Sequence, residues 1–218
     1  KQGDIRQECF DAAMKFLQRR MHSRAELKSK LSRNEYAADL MPLIQTPSHD
    51  SWPSGHATEG HLTARILHAL ANHELQAIEL FAWAVLAFPD TPIAFRRGLL
   101  AILADEQRHF ALYTDRLAAL GARFGDHPVT GHFWNKLDHL ATPLGFVCTM
   151  CLTFENANLD FAGDYAAAAR ACGDTATAAA IDRVHADEIR HVHFGWVWLR
   201  RFAGDDADLW DMYLRHAK

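Results

Sequence analysis

The chain has 218 residues, of which 49% are apolar and 23% charged, with 27 acidic against 23 basic side chains. That length closes one ordinary hydrophobic core, the composition excludes a disordered or fibrous protein, and a formal charge of −4 argues against nucleic acid as the general partner. Four cysteines, Cys9, Cys148, Cys151 and Cys172, are too few for a disulfide scaffold. No apolar run reaches the roughly 18 residues of a membrane span, so we expect a cytoplasmic protein that is not membrane-bound.

The first 57 residues read as a helical extension followed by a linker. Ile5, Cys9, Ala13, Phe16 and Leu17 recur at helical spacing, and a second short helix is expected from Arg24 to Leu31. Arg19, Arg20, Arg24, Lys28, Lys30 and Arg33 make this segment basic. A solvated helix face accounts for them, and an RNA substrate or acidic partner would also suit them. Pro42, Pro47 and Pro53 then interrupt regular structure. Pro53-Ser54-Gly55-His56 resembles the oxyanion-binding motif of acid phosphatases, but the chain has no Arg-Pro element to complete it, and we read it as a linker turn.

Residues 58–204 carry four long helical patterns, at 58–88, 91–121, 141–172 and 174–203, and 205–218 reads as a short C-terminal helix packed on them. Thr91-Pro92 and Thr142-Pro143 each supply an N-cap and a proline in the first turn. Gly121 to Gly131, followed by a short helical segment at 132–140, leaves room for a crossover between the second and third helices. Gly173-Asp174 ends one helix and caps the next, predicting a tight hairpin. The expected fold is all-α, an antiparallel four-helix bundle with that crossover and an N-terminal helical extension.

One hexapeptide occurs twice. Ala104-Asp105-Glu106-Gln107-Arg108-His109 and Ala186-Asp187-Glu188-Ile189-Arg190-His191 differ at a single position. In each copy Glu and His stand at i and i+3 on one helix face, so a carboxylate and an imidazole can bind one ion. A carboxylate-bridged pair of ions between four helices also needs one Glu from each remaining helix. Residues at equal depth in a helical hairpin are equidistant from its turn. Glu74 and Glu106 have their midpoint at 90, in Pro89-Asp90-Thr91, and Glu155 and Glu188 have theirs at 171.5, beside Gly173. The spacing also repeats, 155 − 74 = 81 against 188 − 106 = 82. The predicted metal ligands are therefore Glu74, Glu106, His109, Glu155, Glu188 and His191, with Glu106 or Glu188 bridging. Glu79 is a rival on the first helix, but it lies about 140° round from Glu74 and is read as a buried ion-pair partner.

A metal-bound histidine usually donates its other ring N–H to a carboxylate, so Asp105 is expected to support His191, and Asp187 to support His109. Arg108 and Arg190 would balance charge at the periphery. Tyr113, one turn after His109, is a candidate hydrogen-bond donor or radical site, or a packing residue. Cys148-x-x-Cys151 lies one turn before Glu155, as small core residues or a redox pair. The alternative to the whole set is a lattice of salt bridges. Its carboxylates, however, have Leu70, Ile78, Ile102, Phe110, Leu152, Leu159, Val184 and Val192 three or four residues away, where unpaired charge is costly.

These residues resemble the ferritin-like superfamily of di-iron carboxylate proteins and, more closely, a bacterial family of unknown function within it. In that family a segment like His73-Glu74-Leu75-Gln76-Ala77-Ile78-Glu79-Leu80 precedes two Asp-Glu-x-x-His motifs. Phe154-Glu155-Asn156, Asn158-Leu159-Asp160 and the Leu27 to Leu31 pattern are also similar. The superfamily resemblance implies two iron ions, or manganese or a mixed pair, reacting with dioxygen or peroxide, as in the tRNA-modifying di-iron hydroxylase. The closer family implies no substrate. The expected activity is an oxidoreductase that uses dioxygen and an external reductant on a small-molecule substrate, compatible with a homodimer. The rivals are a ferroxidase or peroxide scavenger and a non-catalytic metal-binding protein.

Overall fold

A computed structural model describes residues 55–204 and 207–217, with side chains from Thr63 onward. The helical extension, its basic residues and the proline linker lie outside the described residues, as does the Pro53 to His56 motif apart from the helical backbone of Gly55 and His56. All regular structure among the described residues is helical, with no strand among them. Helix α1 spans Gly55–Ala87 and α2 spans Ile93–Ala119. After a 3-10 turn at Trp134–Lys136 come α3 (Leu137–Leu140) and α4 (Pro143–Phe146), which continues through a π-helix, Val147–Phe154, into α5 (Glu155–Ala171). Helix α6 spans Thr175–Ala203 and α7 spans Leu209–His216. None of these helices is long and apolar enough to cross a membrane.

Helices α1 and α2 pack as one pair and α5 and α6 as another, and α2 lies against α6. The buried stripe of α2 is Phe95, Leu99, Ile102, Glu106, His109, Tyr113 and Leu117, an alternation of three and four residues that keeps one face inward. Burying each large apolar member stabilises the fold by roughly 1.5–3 kcal/mol. Glu106 and His109 occupy the same stripe, although burying an ion costs several kcal/mol. Helix α6 does the same with Asp187, Glu188 and His191 between Val184 and Val192.

The turns follow local chemistry, with one correction. Thr142 Oγ1 accepts from Gly145 N at 3.0 Å, with Pro143 in the first turn of α4. Gly173 takes φ +78°, a conformation that favours glycine, and Asp174 accepts from Thr177 N at 2.9 Å to open α6. Thr91 is not an N-cap. Pro92 holds that position, and the Thr91 hydroxyl donates back to Phe88 O at 2.7 Å.

The connection between α2 and α4 is strapped to one polar face of α1. Gly125 N donates to His68 Nε2 at 2.9 Å, Asn72 Nδ2 to Thr130 O at 3.1 Å, Phe133 N to Gln76 Oε1 at 3.0 Å and Trp134 Nε1 to Glu79 Oε2 at 2.7 Å. Glu79 is thus exposed and bonded to an indole, not buried in an ion pair. The third helical pattern is not continuous α-helix, because residues 147–154 form i→i+5 bonds. Helix α7 docks on that π-helix. Thr149 Oγ1 donates to His216 O at 3.2 Å, and Thr153 Oγ1 and Tyr213 Oη share a hydrogen bond of 2.7 Å.

Candidate metal centre

Six side chains meet between α1, α2, α5 and α6 in two overlapping groups. Glu74, Glu106, His109 and Glu188 form one, and Glu106, Glu155, Glu188 and His191 the other, each with ligand atoms within 4.8 Å of one another. Glu106 and Glu188 belong to both groups, as bridging carboxylates would. All six are buried, and all are residues that the repeat and its reflection single out.

Both imidazoles turn Nδ1 toward the carboxylates. His109 Nδ1 lies 3.3 Å from Glu106 Oε2, 3.5 Å from Glu74 Oε2 and 3.6 Å from Glu188 Oε1. His191 Nδ1 lies 2.9 Å from Glu188 Oε2 and 3.0 Å from Glu106 Oε1. The last contact is close but misaligned, and it leaves Glu106 Oε1 without a hydrogen bond. Each Nε2 faces an aspartate on the opposite helix: His109 is 3.2 Å from Asp187 Oδ2, and His191 is 3.1 Å from Asp105 Oδ2. Donation from Nε2 leaves the Nδ1 lone pair free for a cation.

Above the aspartates, Arg108 and Arg190 are half exposed and each pairs with both carboxylates. Arg108 meets Asp105 on its own helix and Asp187 at 3.4 Å, while Arg190 meets Asp187 at 2.8 Å and Asp105 at 3.2 Å. Burial would raise both aspartates, but their bonds to the histidines and arginines outweigh it and hold both below the usual carboxylate range.

Inside, the balance of charge favours a cation. Burial pushes Glu74 well up, helped by Glu106, and burial with Glu188 and Glu106 does the same to Glu155. Burial would lower His109, but contacts with Glu106 and Glu74 outweigh it and raise it to about 11. His191 is raised to about 10 against its burial by Glu106 and Glu188. These shifts all run toward proton uptake, the response of a carboxylate-rich interior to its own negative charge. Four carboxylates and two imidazoles, oxygen-rich and without thiolate, form a donor set that could hold metal ions. Iron and manganese both suit it.

Three neighbours complete the surroundings. Tyr113 is fully buried among Leu67, Leu70, Leu117 and Ala162, and its hydroxyl makes no hydrogen bond. Burial and the charges of Glu74, Glu188 and Glu106 push its phenol well up. Asn158 donates from Nδ2 to Glu188 Oε1 at 3.2 Å, a role that sequence reasoning missed. Its position one turn after Glu155, where Glu-x-x-His repeats would have histidine, is the signal that could have found it. Cys151 and Cys148 are buried free thiols outside the converging ligand groups.

Residues 7–218 match the family described as "Protein of unknown function (DUF455)", and the chain belongs to that family. No curated protein and no solved structure matches it.

Proposed function

We propose that this DUF455 protein is a ferritin-like oxidoreductase. In this reading its four main helical spans form an antiparallel bundle, with a crossover between the second and third, around two iron ions that activate dioxygen to oxidise or hydroxylate a small organic substrate. The observation that carries the reading is the pair of buried ligand groups sharing Glu106 and Glu188. Two ferrous ions held by a common pair of carboxylates can give two electrons at one place while each passes only to the ferric state.

Bound ferrous ions would supply the electrons that reduce dioxygen. The chain supplies everything else. Glu74 and His109 would hold one ion, Glu155 and His191 the other, with Glu106 and Glu188 between them. Asp187 and Asp105 hold the imidazoles with Nδ1 inward, so each Nδ1 already faces the carboxylates and would give up its proton to bind an ion. Leu70, Ile102, Phe154 and Val184, within four residues of Glu74, Glu106, Glu155 and Glu188, are buried with them, and a dry surrounding would strengthen the charge interactions inside. Glu188 differs from Glu106 in accepting a hydrogen bond from Asn158, so the two bridging positions are held unequally.

Metal analysis of protein loaded anaerobically with ferrous iron, followed by dioxygen uptake with and without candidate substrates, tests the reading. Two ions per chain and uptake accelerated by a substrate are expected. Turnover of many ferrous ions per chain without substrate would replace it with a ferroxidase, and two bound ions with no dioxygen uptake would replace it with a metal-binding protein.

A further inference from the structure

Where α6 crosses the π-helix, a glycine faces a cysteine. A β-carbon at Gly195 would lie 2.7 Å from Cys151 Cβ and 3.0 Å from the Leu152 side chain, so the absence of a side chain lets Cys151 lie against α6. Gly195 stands four residues after His191, and Cys151 four before Glu155. The thiol is therefore about one turn from ligands on two helices. Cys148 lies three residues earlier on the same π-helix, also fully buried and also free. Neither sulfur joins the converging ligand atoms. Burial raises both thiols, Cys148 to about 12, so they rest as neutral S–H groups that do not compete for the ions.

We infer that Cys148 and Cys151 are an internal two-electron donor to the metal centre, closing to a disulfide when dioxygen is reduced there. This rests on the dinuclear iron reading. Two ferrous ions becoming ferric give two electrons. Two thiols becoming one disulfide give two electrons and two protons. With two more protons from solvent, these four electrons and four protons convert one dioxygen to two waters. Both S–H bonds and the O–O bonds break; one S–S bond and four O–H bonds form. Even in an α-helix, side chains three residues apart have β-carbons roughly 5–6 Å apart, and a disulfide needs about 4 Å, so closing the bridge requires a local rearrangement of the π-helix that carries both cysteines.

The test loads protein anaerobically with two equivalents of ferrous iron, admits air, quenches in acid, alkylates the denatured protein at neutral pH without reductant, and examines the peptide holding Cys148 and Cys151 by mass spectrometry. After air, the wild-type peptide should escape alkylation and be lighter by two hydrogens. It should remain alkylated in loaded protein kept anaerobic, in aerated metal-free protein, and in aerated Glu106→Ala protein. The Cys148→Ser/Cys151→Ser double variant should release hydrogen peroxide on aeration, because two ferrous ions alone carry dioxygen only to that level, while wild type releases none. Cys172→Ser, which alters an exposed cysteine, should behave as wild type. Thiols still alkylatable in aerated protein that holds two irons would overturn the inference and leave the dinuclear reading standing. Equal disulfide formation in metal-free protein would do the same. Failure to bind two irons would overturn the reading and the inference together.

Discussion

Asp187 Oδ2 lies 3.2 Å from Nε2 of His109, a bond that leaves α6 and fixes a ring on α2. Its counterpart, Asp105 to His191 at 3.1 Å, runs the opposite way. Each helix thus orients the other's imidazole, and Arg108 and Arg190 tie both aspartates together at the surface.

Asp187→Asn should keep the shape of this contact but lose the charge that favours a donating Nε2. Metal affinity is expected to fall roughly 10–100-fold, the usual cost of losing an outer carboxylate, with helical content unchanged. Competition against a chelator measures it. Unchanged affinity would deny Asp187 any part in aiming His109.

The upward shifts of the histidines and of Glu74 and Glu155 make metal binding a proton-releasing event. At neutral pH protons should be released on ion binding, seen as buffer-dependent heats in calorimetry, and apparent affinity should rise with pH. Metal-free protein should behave in the opposite sense. Histidines whose folded values of about 11 and 10 exceed the ordinary 6.5 contribute stability that is full below about 6.5 and is lost as pH rises through 10 to 11. Its melting temperature should therefore fall over that range.

Asn158→Ala removes the amide that donates to Glu188 and has no equivalent on Glu106. We expect a loss of about 1 kcal/mol in the total free energy of binding the ion pair, because Glu188 belongs to both ligand groups. Unchanged binding in an ion titration would deny Asn158 any part in holding Glu188.

Gly195→Ala should destabilise the fold by about 1–3 kcal/mol, the ordinary cost of overpacking, because the new methyl meets Cys151 Cβ at 2.7 Å. Gly163→Ala is the control, with nothing within 4 Å of its β-carbon. Chemical denaturation of both variants compares them. Equal stability would mean that α6 and the π-helix are not held as closely as described.

The buried cluster was legible because two kinds of information agreed. The duplicated Asp-Glu-x-x-Arg-His motif marked one helix of each hairpin, and equal distance from a turn picked out Glu74 over Glu79. The π-helix was not legible. Val147 to Phe154 has no charged residue and only Thr149 and Thr153 as polar ones, too few to report the change from 3.6 residues per turn. Asn158 and the strap of His68, Asn72, Gln76 and Glu79 were missed for another reason. Their partners are a carboxylate on another helix and the residues of a long connection, and local pattern does not encode either. Thr91 shows a further limit, since a hydroxyl beside a helix start can donate backward to a carbonyl instead of accepting from the first turn.

The most direct measurement is an anomalous-scattering map of crystals grown with ferrous iron, recorded at the iron absorption edge. Two peaks about 3.5–4 Å apart, one beside Glu74 and His109 and the other beside Glu155 and His191, with Glu106 and Glu188 between them, are what the account predicts. A single peak, or peaks away from these six residues in protein that retains iron, would contradict it.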